Sequence, residues 1–155
     1  MVITMQEKGT RFGARVGAII YNENKTKILI ENQHDKRYMF PGGRIDVHEE
    51  SKTAIERELI EELKLKANLN LKYIVEMFIK SPKTKYHEIG FYFATQIKES
   101  LIENNFKSLD GDSYFVWVSI DNLDQYNILA KPIQDKVINN EITNNTLEHI
   151  VYREY

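Results

Sequence analysis

The stretch Pro41–Leu65, PGGRIDVHEESKTAIERELIEELKL, constrains the fold of this 155-residue chain more than any other. Its second half is patterned as a helix. Ile55, Leu59 and Leu63 recur at i, i+4 and i+8, the spacing of a core-facing stripe. The same segment carries Glu56, Glu58, Glu61 and Glu62. A helix turns by roughly 100° per residue, so Glu58, Glu61 and Glu62 lie together on one side. Glu58 and Glu62 flank the apolar stripe, which withdraws them in part from water. Like charges at i, i+4 each cost a few tenths of a kcal/mol, and something must offset that repulsion. Two readings stand. One is a solvated acidic face, the fate of most charge runs, with Arg57 and Lys52 offsetting part of the repulsion. The other is a carboxylate cluster closed by a hard divalent cation such as Mg²⁺ or Mn²⁺, which takes oxygen ligands from a few carboxylates and from substrate phosphates.

Ahead of the helix, Gly42 and Gly43 follow Pro41. This is a turn signal, where the backbone can adopt positive φ and approach a ligand closely. Counted from Gly43, the spacing runs five residues to Glu49, seven more, then Arg57-Glu58-Leu59-Ile60-Glu61-Glu62-Leu63-Lys64-Leu65. This resembles the signature of the Nudix hydrolases: glycine, five, glutamate, seven, Arg-Glu-aliphatic-any-Glu-Glu-any-Gly-aliphatic. One fixed position departs, Lys64 standing where the family has glycine. A glycine just past a helix commonly takes the left-handed conformation of a C-terminal cap. A lysine there costs on the order of 1 kcal/mol, or the helix ends another way. Its charge near a helix C-terminus returns part of that cost. In the family this glycine shapes a turn and is not a ligand, so the departure bears on the turn more than on the chemistry.

The resemblance implies an enzyme that hydrolyses a pyrophosphate bond in a nucleoside diphosphate linked to another group. It implies that Glu58, Glu61, Glu62 and the Gly43 carbonyl hold Mg²⁺ or Mn²⁺, that Glu49 supports the site, and that Arg57 pairs with the motif glutamates and orients them. The general base is then Glu58 or an acid from a distant loop. Glu88 beside His87, Asp110 and Asp112 are the candidates for that acid and for substrate contact. Taken without the resemblance, these three are ordinary surface carboxylates. The rival from another class is a silent Nudix-fold module that binds a nucleotide or a partner. Such modules usually lose motif glutamates, and this chain keeps them.

The rest of the sequence supplies a scaffold. Hydrophobic residues make up 42% and charged residues 28%, an ordinary globular balance, and the chain reads as a single domain over 1–155. A net charge of −2 gives no electrostatic case for nucleic acid or an anionic membrane. The absence of cysteine excludes disulfides, a thiolate zinc site and a cysteine nucleophile. No apolar run is fit to be a signal peptide or to span a bilayer, so the cytoplasm is the expected compartment and a small nucleotide the expected partner. Strands are predicted over Arg15–Tyr21 and Lys27–Glu31 as a hairpin, then over Leu69–Ile79, Tyr86–Ile97, Tyr114–Ile120 and Leu147–Tyr152, the last at an edge. His34–Tyr38 and Ser100–Ser113 read as loops, and Pro132 opens a final helix. His34 is assigned no role, His87 is read as structural, and Trp117 as core. Strands on both sides of one central helix, with a second helix near the end, predict an α/β (α+β) sandwich. The order of elements resembles the Nudix fold, a mixed β-sheet between α-helices.

Overall fold

The computed structural model describes residues 1–34, 36–142 and 147–155. Asp35, within the expected His34–Tyr38 loop, lies outside the described residues. The apolar run around Val16 forms a longer strand than its composition suggests. It is preceded by β1 (Thr4–Glu7) and occupies β2 (Thr10–Tyr21). There follow β3 (Lys27–Asn32), β4 (Tyr38–Met39), β5 (Gly42–Arg44), α1 (Ser51–Leu63), β6 (Asn70–Lys80), β7 (Lys85–Gln96), β8 (Phe106–Lys107), β9 (Tyr114–Ser119), α2 (Lys131–Ile138) and β10 (Glu148–Glu154). Residues Ile120–Gln125 form a short 3-10 helix.

Among the described residues, ten strands join one mixed sheet ordered β10-β6-β7-β2-β3-β9-β8, with β1 and β5 on β2 and β4 on β3. β2 and β7 run parallel along their whole length, from Thr10 opposite Lys85 to Tyr21 opposite Gln96. β10 pairs in parallel with β6 and ends the sheet, as the edge strand expected from the sequence. The predicted β2–β3 hairpin forms, antiparallel.

Side chains alternate across a strand, so an unbroken apolar run must be buried on both faces. Val16, Ala18 and Ile20 of β2, with Leu29 of β3, pack on one face against Ile55, Leu59 and Leu63 of α1. Ile19 and Tyr21, with Ile28 and Ile30, pack on the other against Ile133 and Val137 of α2. The sheet is thus sandwiched between two helices, and each buried aliphatic side chain contributes roughly 1.5–3 kcal/mol through its apolar area. Trp117 is buried, and its indole N–H donates to the Ile102 carbonyl at 2.9 Å. His87 stacks on Phe78 with ring centroids 4.3 Å apart, a structural place as expected.

Three sequence expectations are corrected. Gly42 and Gly43 do not simply turn: they lie in β5, antiparallel to β2, with Gly42 opposite Gly17 and Gly43 opposite Val16. A Cβ on Gly42 would meet the Val16 carbonyl oxygen at 2.1 Å, so this close strand approach needs glycine. Tyr38, expected in a loop, is paired in β4. The Ser100–Ser113 stretch is broken by β8, whose two residues pair with β9. Among the described residues no helix is long and apolar enough to cross a membrane.

Candidate active site

α1 carries the site, and both of its ends fix its pose. Glu50 caps the start without a side-chain hydrogen bond, while the Asp46 amide donates to Glu49 Oε2 at 2.9 Å. At the far end Lys64 adopts φ 50° and ψ 32°, the left-handed cap conformation that glycine would take there. The Lys64 amide donates to the Ile60 carbonyl at 3.0 Å and the Leu65 amide to that of Leu59 at 3.1 Å. The first is the 5→1 bond of an αL cap and the second reaches two residues wider, and Leu59 and Leu65 are both buried in the same core cluster. Lysine therefore takes the left-handed turn that suits glycine and accepts the strain.

Arg57 is the hub of the glutamates. Its Nε and Nη2 donate to the two oxygens of Glu49 at 2.7 and 3.0 Å, a bidentate pair. Its Nη1 donates to Glu58 Oε1 at 3.0 Å and to Glu61 Oε2 at 3.3 Å. Nη2 also reaches the Arg44 carbonyl at 3.1 Å, tying α1 to β5. The hydrogen bonds from Arg57 hold the Glu49 carboxyl below its ordinary range, against a smaller effect of burial. Burial raises Glu58 despite Arg57, with Glu61 and Asp110 adding to the rise. Gly43 completes this corner. A Cβ there would lie 2.3 Å from Glu58 Oε1, so the missing side chain is the space that the carboxylate uses.

The helix turn separates the motif glutamates more than shared-face counting suggests. The Glu61 side chain points outward, 43% exposed, whereas Glu62 is buried at 9% and turns inward. Glu62 Oε2 has no hydrogen-bond partner. Burial, with Glu31, Glu58 and Asp110 adding repulsion, pushes its carboxyl up to about 9, against a weaker pull from Arg15. Glu31, on β3, is itself 3% exposed with Oε2 unpartnered. Among the described residues no three acidic or histidine side chains converge closely enough to enclose a metal ion. Arg57 draws Glu58 and Glu61 toward itself while Glu62 turns the other way. The donor chemistry still fits a hard cation. The ligand atoms available are carboxylate and carbonyl oxygens, and the orphaned Glu62 oxygen is an acceptor that the protein itself leaves unsatisfied.

Of the other acids named from sequence, Asp110 acts electrostatically on both Glu58 and Glu62, and the neighbouring Leu109 amide donates to the Glu62 carbonyl at 3.0 Å. Asp112 is exposed and pairs with Lys107 at 3.9 Å. Glu88 is no surface carboxylate. It is 4% exposed, accepts a hydrogen bond from the Tyr86 hydroxyl and pairs with Arg44 at 3.5 Å. Its burial follows from β7 running through the middle of the sheet, between β6 and β2. Sequence reasoning missed Arg15, Glu31, Arg44 and Tyr86. The available signal for Arg15 and Glu31 was a charged residue at the end of an apolar run, as in RVGAIIY and KILIE.

The NUDIX domain model matches residues 11–140. No curated protein matches the sequence closely enough to count as a relative. Among solved structures, a MutT protein from Bacillus halodurans superposes with a TM-score of 0.67 at 16% identity, covering 92% of this chain and 90% of that one. A dihydroneopterin triphosphate pyrophosphohydrolase from E. coli gives 0.64 at 14%, covering 88% and 95%. An ADP-ribose pyrophosphatase from Streptococcus suis gives 0.56 at 19%, covering 90% and 98%. At these identities the likeness is one of fold.

Proposed function

We propose that this chain, which belongs to the NUDIX family and so hydrolyses phosphoanhydride bonds, is a divalent-metal-dependent enzyme acting on a nucleoside triphosphate or another derivative of a nucleoside diphosphate. The observation that carries the metal dependence is the buried, unpartnered oxygen of Glu62 facing Glu31, Glu58 and Asp110. Ionising this carboxyl inside the fold is costly, and a bound cation would remove that cost. Glu58, Glu61, Glu62 and the Gly43 carbonyl would hold Mg²⁺ or Mn²⁺. When bound, such an ion neutralises phosphate charge and makes a coordinated water more acidic.

The chain's own residues do the rest. Arg57 fixes the rotamers of Glu58 and Glu61 and is itself locked by Glu49, so removing either partner loosens the set. Arg57 takes Oε1 of Glu58, which leaves Oε2 to receive the proton of the attacking water. The raised Glu58 carboxyl is a better proton acceptor near neutral pH than an exposed glutamate. Two of the similar folds are named for a pterin triphosphate and for ADP-ribose, which supports the breadth of the substrate class rather than one member of it.

The test is phosphate release across nucleoside triphosphates and nucleotide sugars with Mg²⁺ or Mn²⁺, beside a chelated control. Turnover of at least one substrate that vanishes with EDTA and returns with metal is the expected result. Undiminished turnover in a thoroughly chelated sample would sink the metal dependence.

A further inference from the structure

Glu31 breaks the apolar pattern of β3. The strand's four central residues are buried, and Glu31, the last of them, is 3% exposed. Side chains two apart on a strand share a face. Leu29 packs in the cluster beneath α1, so Glu31 points to the side of the sheet that α1 covers. Its register partners are apolar, Phe115 on β9 and Met39 on β4.

The carboxyl is poorly held for a group so deep. Oε1 accepts one long bond from the Gln33 amide at 3.4 Å, and Oε2 has no hydrogen-bond partner. Glu62, 9% exposed, has the same vacancy at its own Oε2. Of the acids that repel Glu62, Glu31 acts most strongly, ahead of Glu58 one turn back on the same helix. Two buried carboxyls thus meet between α1 and β3, each with an oxygen to spare. A structural role accounts poorly for this. An apolar residue would fill the position as Ile28, Leu29 and Ile30 fill theirs, and would leave no acceptor unsatisfied.

We infer that Glu31 is a ligand of the divalent cation, supplied by the sheet and not by the motif, and that it holds the ion together with Glu62. The inference rests on the metal dependence proposed above. Two carboxylates suffice, because Mg²⁺ is usually held by one or two, with waters and substrate phosphates completing its shell. A cation between them turns mutual repulsion into attraction and satisfies both spare oxygens. The cluster then has two halves. Arg57 keeps Glu58 and Glu61 on the outer one. Glu31 and Glu62 form the inner one, where the ion ties the helix to the sheet. Gln33, bonded to Oε1, sets the tilt of the Glu31 carboxyl and leaves Oε2 for the ion.

The experiment titrates Mn²⁺ into the chain, counts free Mn²⁺ by electron paramagnetic resonance, and follows melting with and without the ion. The parent is compared with Glu31→Gln, Glu31→Asp, Glu62→Gln and the double glutamine variant. Glu31→Gln should weaken Mn²⁺ binding about tenfold or more and shrink the rise in melting temperature that Mn²⁺ produces. Its metal-free melting temperature should equal or exceed the parent's. Glu31→Asp keeps the charge and draws it back by a methylene, so its affinity should stay within about threefold of the glutamine variant's. In the double variant the losses should not add, since both remove ligands of one ion. Unchanged affinity in Glu31→Gln, full affinity in Glu31→Asp, or additive losses overturns the inference. These outcomes mean a structural glutamate, a field effect and a separate ion in turn. A parent that binds no Mn²⁺ overturns it as well. Should the variants not fold, anomalous scattering from crystals of the parent soaked in Mn²⁺ decides. An ion bonded to a Glu31 oxygen supports the assignment, and an ion bonded only elsewhere refutes it. Mn²⁺ held through Glu31 beside turnover that survives EDTA would instead defeat the metal-dependent reading and leave this ligand standing. EDTA-sensitive turnover with parental Mn²⁺ affinity in Glu31→Gln would do the reverse.

Discussion

Glu62→Gln should stabilise the metal-free protein at neutral pH, although it alters one of the proposed metal ligands. The carboxyl of Glu62 rises from an ordinary 4.5 to about 9 on folding. Between those values the folded chain keeps a proton that the unfolded chain has released, so stability falls as pH rises through the window and levels off above about 9. Each unit costs 1.36 kcal/mol. At pH 7.5 the three units above 4.5 amount to about 4 kcal/mol, and about 2–4 kcal/mol remains once the side chain turns toward solvent. Glutamine keeps the shape and has no charge to desolvate. For a chain of this length 1 kcal/mol moves the melting temperature by about 2–4 °C, so the variant should melt about 5–15 °C higher at pH 7.5.

The assay is calorimetry of both proteins in EDTA from pH 4.5 to 8.5. The difference in melting temperature should be near zero at pH 4.5, where both side chains are neutral, and should grow steadily with pH. Saturating Mg²⁺ or Mn²⁺ should raise the parent and not the variant, shrinking or reversing the gap. Turnover with metal should drop about a hundredfold or more. A difference that does not change with pH, or a variant that melts lower than the parent at pH 8, would show that Glu62 has a partner in the folded protein and that the charge argument is wrong.

Three further outcomes are expected. Lys64→Gly relieves the φ of 50° at the helix cap and should raise stability by about 1 kcal/mol or less, read by calorimetry, with turnover within a few-fold of the parent. Gly43→Ala sets a Cβ 2.4 Å from the Glu58 carboxyl carbon, so kcat should fall about tenfold or more while the melting temperature moves by only a few degrees; normal turnover would mean that Glu58 is not held where it acts. Arg57→Gln removes the donors to Glu49, Glu58, Glu61 and the Arg44 carbonyl together, and should lower stability by about 2–3 kcal/mol in denaturant titration and turnover by at least about tenfold.

The parts of this site that could be read from sequence are those set by spacing along one element. α1 was legible because thirteen consecutive residues repeat at one period, but that period did not show that Glu61 stays exposed while Glu62 is buried. Glu49 and Arg57 were legible from eight residues of separation. β5 was not, because Gly42–Arg44 offers three residues and only one side chain, and its pairing with β2 is decided by how closely two backbones can approach. Arg15 and Glu88 line one cavity only because β2 and β7 are neighbours in a parallel register, a fact of topology that neither strand records. Yet each was visible as an anomaly, a charge inside a strand that must be buried on both faces. Burying an unpaired charge costs several kcal/mol, so such a residue persists only where a partner or a ligand meets it. Applied to Glu31, the same reasoning makes it part of the carboxylate cluster. Its Oε2 is unpartnered, it adds to the repulsion on Glu62, and it sits on the strand beside β2. Arg15, which feels both Glu88 and Glu31, therefore couples the cavity it lines to the carboxylate cluster electrostatically.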